Sequence, residues 1–176
     1  MSHDKITHSI HILRRREDVF TVLADPERHE SKWRPEVIEF RQVNDGPVGA
    51  GTRYQVSRQL MGRRSDATVE ILRLEPPHLG EFRGTAGPFT FWGKYVLESA
   101  DGGTRIDVEA RIGTKGAAEA GASATLGQRL LNAAYSALLR AGIVVFRREI
   151  AVDFRRLKRL IEAPTANQLF GFPESP

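Results

Sequence analysis

Ile6, His8, Ile10 and Ile12 alternate with Thr7, Ser9 and His11 near the start of the chain, the period of two that a strand with one covered face requires. The period then changes. Val19, Phe20 and Leu23 stand at helical spacing within Arg16 to Ala24, Asp25-Pro26 stops that helix, and a second short helical turn follows over Glu27 to Ser31. From Glu36 to Ile112 the chain reads as six runs rich in β-branched and aromatic residues. They are separated by Asn44-Asp45-Gly46, Met61-Gly62-Arg63, Pro76-Pro77, Gly87-Pro88 and Asp101-Gly102-Gly103, the punctuation of a meander. Arg105 to Arg111 is the clearest run, with Ile106, Val108 and Ala110 on one face and Arg105, Asp107, Glu109 and Arg111 on the other.

Gly113 to Ala124 is rich in glycine and alanine and reads as a mobile connection, a candidate gate, or as a poorly anchored helical lead-in, and not as a domain linker. From about Thr125 to Glu162 there is no proline. Leu126, Leu130, Ala134, Leu138, Val145, Phe146, Ile150, Phe154, Leu157 and Ile161 recur there every three to four residues, which predicts one long amphipathic helix. Arg155, Arg156, Lys158 and Arg159 complement the negative end of its dipole, and Pro164 lies just beyond. Residues 1–163 are thus expected to form one domain. Residues 164–176 form a C-terminal tail, in which Phe170 and Phe172 follow no period; it is expected on the surface or docked on a neighbour.

Seven antiparallel strands, two short helices after the first, and a long terminal helix bury their apolar faces together only if the helix crosses the concave side of the sheet. The predicted class is therefore α+β, with a seven-stranded curved sheet wrapped around the C-terminal helix. A strongly bent sheet stands away from a single helix, so the middle is expected to be hollow.

Several stretches resemble the START-like (SRPBCC, helix-grip) superfamily, and in particular its bacterial polyketide cyclase/dehydrase-type members. They are IHILRRREDVFTVLADPERHESKW, GAGTRYQV, LEPPHLGEFRG and GTRIDVEARI, and the likeness runs over roughly residues 5 to 162. Members of that superfamily bind lipids, sterols, plant hormones, polyketides or quinones, and some are aromatases and cyclases. The resemblance therefore implies an internal ligand cavity and leaves catalysis open.

Parity nominates the residues that line such a cavity. FTFWGKYVLE points Phe89, Phe91, Gly93, Tyr95 and Leu97 inward, and GEFRG points Phe82 inward with Gly84 leaving room beside it. Tyr54, Val56 and Arg58 share the inner face of the run from Gly51 to Arg58. The ligand-binding candidates are Trp33, Tyr54, Arg58, Phe82, Phe91 and Tyr95, each with core packing as the plainer alternative. A buried tyrosine hydroxyl needs a partner that a ligand can supply. Arg58 is the sharpest polar candidate, because a planar guanidinium in a cavity selects a carboxylate, phosphate or phenolate; near the Met61-Gly62 turn it can equally reach water. Trp33 either closes the pocket mouth or pins the helices to the sheet.

The remaining features exclude more than they add. The chain has 176 residues and no cysteine, which removes disulfides, thiolate nucleophiles and cysteine-bearing metal sites and fits a cytoplasmic setting. The five histidines form no HExxH pair, and neither a metal nor a cofactor is expected. His8 with Asp66 or Glu70 would make an acid–base pair if the register brought them together. MSHDKITHSIHI is too polar for a signal peptide, and no stretch approaches the roughly 18 apolar residues of a membrane span. The net charge of +4 comes from arginines scattered through strands, which argues against a specific nucleic-acid partner. The expected partners are a hydrophobic small molecule and, in a homodimer, a second copy of the chain. Three roles compete: a binding protein or carrier, which is favoured; a polyketide cyclase/dehydratase-type enzyme; and a protein-interaction module with a filled cavity.

Overall fold

The computed structural model describes residues 5–60, 62–114, 143 and 146–172. Its strands are β1 (Lys5–Ile12), β2 (Val37–Gln42), β3 (Arg53–Leu60), β4 (Arg63–Glu75), β5 (Leu79–Ala86), β6 (Phe89–Ala100) and β7 (Gly103–Thr114). They form one antiparallel sheet in the order β1-β7-β6-β5-β4-β3-β2. Two short helices, α1 (Arg16–Ala24) and α2 (Pro26–Trp33), link the two edge strands, and the C-terminal helix α3 is described over 146–162. This is the helix-grip arrangement expected from the pattern. Most of the glycine- and alanine-rich connection proposed as a gate, and the first half of the expected helix, lie outside the described residues.

Local chemistry accounts for the joints. The Asp25 carboxylate accepts from the Arg28 N–H at 3.2 Å while Pro26 occupies the first turn of α2, so one residue ends α1 and caps its successor. Asp101 and Gly102 both have positive φ, which lets β6 turn into β7 through two residues with the twist the strands need. Register shifts at Val37/Glu39 in β2 and Ile71/Arg73 in β4 insert bulges, which bend their strands.

Among the described residues, the sheet's inner face carries the core in two clusters. The larger gathers Ile6, Ile12, Leu97 and Ile106 from the sheet with Val19, Phe20 and Val22 of α1, Trp33 of α2 and Ile150, Phe154, Leu157 and Ile161 of α3. The smaller gathers Val37, Tyr54, Val56 and Ala67 on β2 to β4. α3 is tied down at its end as well: Lys158 donates to the His11 carbonyl at 2.7 Å, and Glu162 accepts from the Leu13 N–H at 2.7 Å.

The chain after Pro164 turns back onto the same core. A short helix, α4 (Ala166–Phe170), buries Ala166 and Phe170, and Phe172 is buried beyond it. Phe170 packs on His29 of α2, with ring centroids 5.5 Å apart, and the Arg14 guanidinium lies 4.8 Å from the centre of the Phe172 ring. Lys32 donates to the Leu169 carbonyl at 2.7 Å.

Candidate functional site

The inner face of the middle strands is apolar and only partly covered. Val69, Ile71, Phe82, Phe91, Val108 and Ile112 all point inward, pack at the margins of the two clusters, and keep some exposure. Phe82 and Phe91, both expected on this face from parity, are held there by glycines opposite them. The register pairs Gly80 with Tyr95, Phe82 with Gly93 and Gly84 with Phe91. A Cβ on Gly93 would fall 2.6 Å from Phe82 Cε2, one on Gly80 2.7 Å from Tyr95 Cε1, and one on Gly84 2.7 Å from Phe91 Cε2. Each ring therefore lies down over its glycine instead of standing out from the sheet, which keeps the strip between the clusters low.

Polar groups surround that strip. Tyr95 is buried, with its ring edge-on to Phe20 at 6.3 Å, and burial raises the pKa of its hydroxyl; Glu30 adds to the effect. Tyr54 is 2% exposed and sits edge-on to Phe40 at 5.0 Å. Burial, with Asp25 and Glu27 as further causes, pushes its hydroxyl up to about 12. Both phenols stay protonated at neutral pH and are available as donors. His8 lies on the inner face of β1 with its ring 6.1 Å from Phe154, and its Nε2 is buried with no hydrogen-bond partner among the described residues. Burial, and then Arg155, lower its pKa, so at neutral pH the imidazole is uncharged.

Arg58 and Arg34 have opposite circumstances although they are neighbours in space. Arg34, at the end of α2, reaches Glu30 at 2.8 Å, Asp153 of α3 at 2.9 Å and Glu36 at 3.6 Å. Burial works against its charge, but these carboxylates outweigh it and raise its pKa. Burial raises the pKa of Asp153, and Arg34 opposes that shift. Arg58 continues the inner-face series of Tyr54 and Val56, beside Val37 on β2, and is only partly exposed. Its Nε is buried and unpartnered, and no carboxylate lies within 4 Å of the guanidinium among the described residues. Burial, with Arg34 as the second cause, brings its pKa down to about 10. Only the Nε is shut off in this way; the side chain as a whole keeps some exposure, as an arginine reaching water beside the turn would.

Trp33 is buried in the large cluster, 5.7 Å from Phe154, with the Arg34 guanidinium 5.4 Å from its ring centre. It pins α2 to α3, and its Nε1 has no partner among the described residues. The pairing of His8 with Asp66 or Glu70 does not form. Asp66 accepts from Ser57 at 2.6 Å and from Arg64 at 3.1 Å, and Glu70 binds Arg83 at 2.9 Å. Both carboxylates stand on the outer face because their parity is opposite to that of the inward Ala67 and Val69. Sequence reasoning missed the Arg34 cluster. The Glu30–Arg34 spacing of four on a helix was a readable signal, whereas Asp153, 119 residues away, carried none.

An open depression of about 340 Å³ is lined by Thr7, His8, Ser9, Lys94, Val96, Asp107, Val108 and Glu109 of β1, β6 and β7, and its charged lining contrasts with the apolar inner strip. Among the described residues no helix is long and apolar enough to cross a membrane.

The family pattern described as polyketide cyclase / dehydrase and lipid transport matches residues 3–141. The chain belongs to this family. Solved structures share the fold. The protein TTHA0849 from Thermus thermophilus is 17% identical, with a TM-score of 0.65 over 88% of this chain and 94% of that one. The Zhui aromatase/cyclase from Streptomyces sp. R1128 is 17% identical, with a TM-score of 0.59 over 90% and 96%. Ara h 8.0201 is 18% identical, with a TM-score of 0.59 over 89% and 99%. No curated protein sequence matches the chain. The family's description spans both cyclisation and lipid transport, so membership places the chain in a hydrophobic ligand-binding or cyclase fold, and the choice between them falls to the inner face.

Proposed function

We propose that the protein binds and carries a hydrophobic small molecule, a lipid, quinone or polyketide-like compound, between the inner face of the sheet and the C-terminal helix. The observation that supports this most is the partial exposure of an apolar strip on the inner face of the sheet. Val69, Ile71, Phe82, Phe91 and Val108 point to that face and keep some exposure, and the rings of Phe82 and Phe91 are held down over glycines. A protein that packed its interior for stability alone would fill such a strip to crystal-like density. Trp33, Tyr54, Arg58, Phe82, Phe91 and Tyr95 remain the proposed contacts, and the cysteine-free chain suits a carrier in the cytoplasm. Native mass spectrometry of the freshly purified chain, followed by organic extraction, tests the reading. A lipid-like adduct removed by the solvent is the expected result. A clean apo mass together with no uptake of fatty acids, quinones or aromatic polyketides would refute it.

One observation favours a cyclase or dehydratase as the second reading. His8 pairs with Val108 and Val108 with Tyr95, so an uncharged imidazole and a protonated phenol stand in one row, two strand spacings or about 10 Å apart. That arrangement offers a base and an acid to a ligand lying across β7. Recovery of a converted product after incubation with an extracted ligand favours this reading over carriage.

A further inference from the structure

Among the described charged side chains on the inner face, Arg58 is the one whose position the fold alone leaves unexplained. β3 keeps an unbroken register with β4 from Arg53 to Leu60, so the alternation that buries Tyr54 and Val56 carries Arg58 to the same side. Val37 lies directly across on β2 and is buried too. The guanidinium thus leaves the sheet between Val37 and Ser65, with a buried Nε that has no hydrogen-bond partner among the described residues. Glu30, Glu36 and Glu149 act on it through space, but none comes within 4 Å, and Glu30 and Glu36 are already in contact with Arg34. Arg34 itself adds a like charge. Arg58 is only half-buried, but a cation whose Nε is shut off from water and which has no contacting anion among the described residues is still costly to hold there.

We propose that Arg58 receives the carboxylate of an amphiphilic acid, whose apolar body lies along the strip formed by Phe82, Phe91, Val69 and Ile71. This inference rests on the carrier reading above and names the ligand class for the same site. The planar fork of the guanidinium fits a carboxylate by two parallel hydrogen bonds, which an alcohol or ester cannot reproduce. Tyr54, on the same face of β3 but about 13 Å back along the strand, keeps its proton above neutral pH and so adds no negative charge to the site.

The test is isothermal titration of the delipidated full chain with matched pairs, dodecanoic acid against dodecan-1-ol and naphthalene-2-carboxylic acid against naphthalen-2-ylmethanol. The wild type should bind the acid of at least one pair about tenfold tighter than the alcohol, a difference of about 1.4 kcal/mol. Arg58→Met should remove that preference, with the acid losing about tenfold relative to its alcohol, and should not lower the melting temperature, because it deletes a half-buried charge that has no contacting carboxylate among the described residues. Equal binding of acid and alcohol by the wild type overturns the inference while leaving the carrier reading standing, and so does a preference that survives in Arg58→Met. Binding of neither member of either pair overturns both. If Arg58→Met does not fold, Arg58→Lys decides: it keeps the charge and loses the fork, so the acid preference should drop at least about threefold, and an undiminished preference overturns the inference.

Discussion

Replacing Arg34 by methionine tests the claim that the seam between α2 and α3 is held by charge as well as by Trp33. The Arg34 side chain is 15% exposed, against 10% for Glu30 and 6% for Asp153, so the two closest carboxylates would be left unpaired where water barely reaches. Glu36, 3.6 Å away and 25% exposed, can rehydrate and should matter little. Removing one partner from a buried ion pair costs about 3–5 kcal/mol, because the stranded charge loses its counter-ion without regaining its hydration. For a domain of this size each kcal/mol moves the melting temperature by about 2–4 °C, so Arg34→Met should melt about 6–20 °C lower. The loss is a large part of the roughly 5–15 kcal/mol by which a typical domain is stable. Adding Asp153→Leu should return part of it, and urea denaturation of the two single variants and the double variant gives the coupling energy directly. A loss below about 1 kcal/mol, with no coupling to Asp153, would refute the reasoning, since that is how a solvated surface pair behaves.

Two further perturbations probe the site. Gly93→Ala drives a methyl group into the Phe82 ring and should cost about 1–3 kcal/mol in urea denaturation while weakening ligand uptake, with Phe82→Leu in the same chain restoring both; an innocuous Gly93→Ala would mean the ring is not held against the sheet. His8 has a lowered folded pKa, so the unfolded chain takes up a proton first, and stability present above pH 6.5 is lost as pH falls through 6.5 toward the folded value. His29 is lowered as well, by burial and then by Lys32, and acts in the same direction. His8→Phe, which keeps a ring against Phe154, should therefore flatten part of the stability profile between pH 7 and 5, and an unchanged slope rules out the neutral buried imidazole.

Much of the architecture was legible because its causes are local. Alternation in β1, β6 and β7 follows from side chains pointing to opposite faces at successive residues. α1 runs from Arg16 to Ala24 as its spacing predicts, and Asp25-Pro26 both stops it and starts α2. The same parity placed Tyr54, Phe82, Phe91 and Tyr95 on the inner face. It also contained the reason why Asp66 and Glu70 could not meet His8, since each is one residue out of phase with an inward neighbour. Trp33 was legible as a large apolar group after α2, but its role as a pin depended on where Phe154 arrives.

What the sequence by itself determined was the order of elements, the buried face of each strand and the family the chain resembles. All of these depend on spacings of two to four residues and on turn chemistry at the joints. The tertiary structure alone decided which glycine lies under which aromatic ring, because register between strands is set by the whole ladder and not by either strand. It decided that Asp153 meets Arg34 across 119 positions and that Phe170 and Phe172 return to the core. It also decided that Arg58, beside a turn and free on paper to reach water, has a buried Nε with no partner among the described residues. A side chain's charge is written in the sequence, but its cost depends on what surrounds it, and the surroundings of Arg34 and Arg58 exist only once distant segments have been brought together.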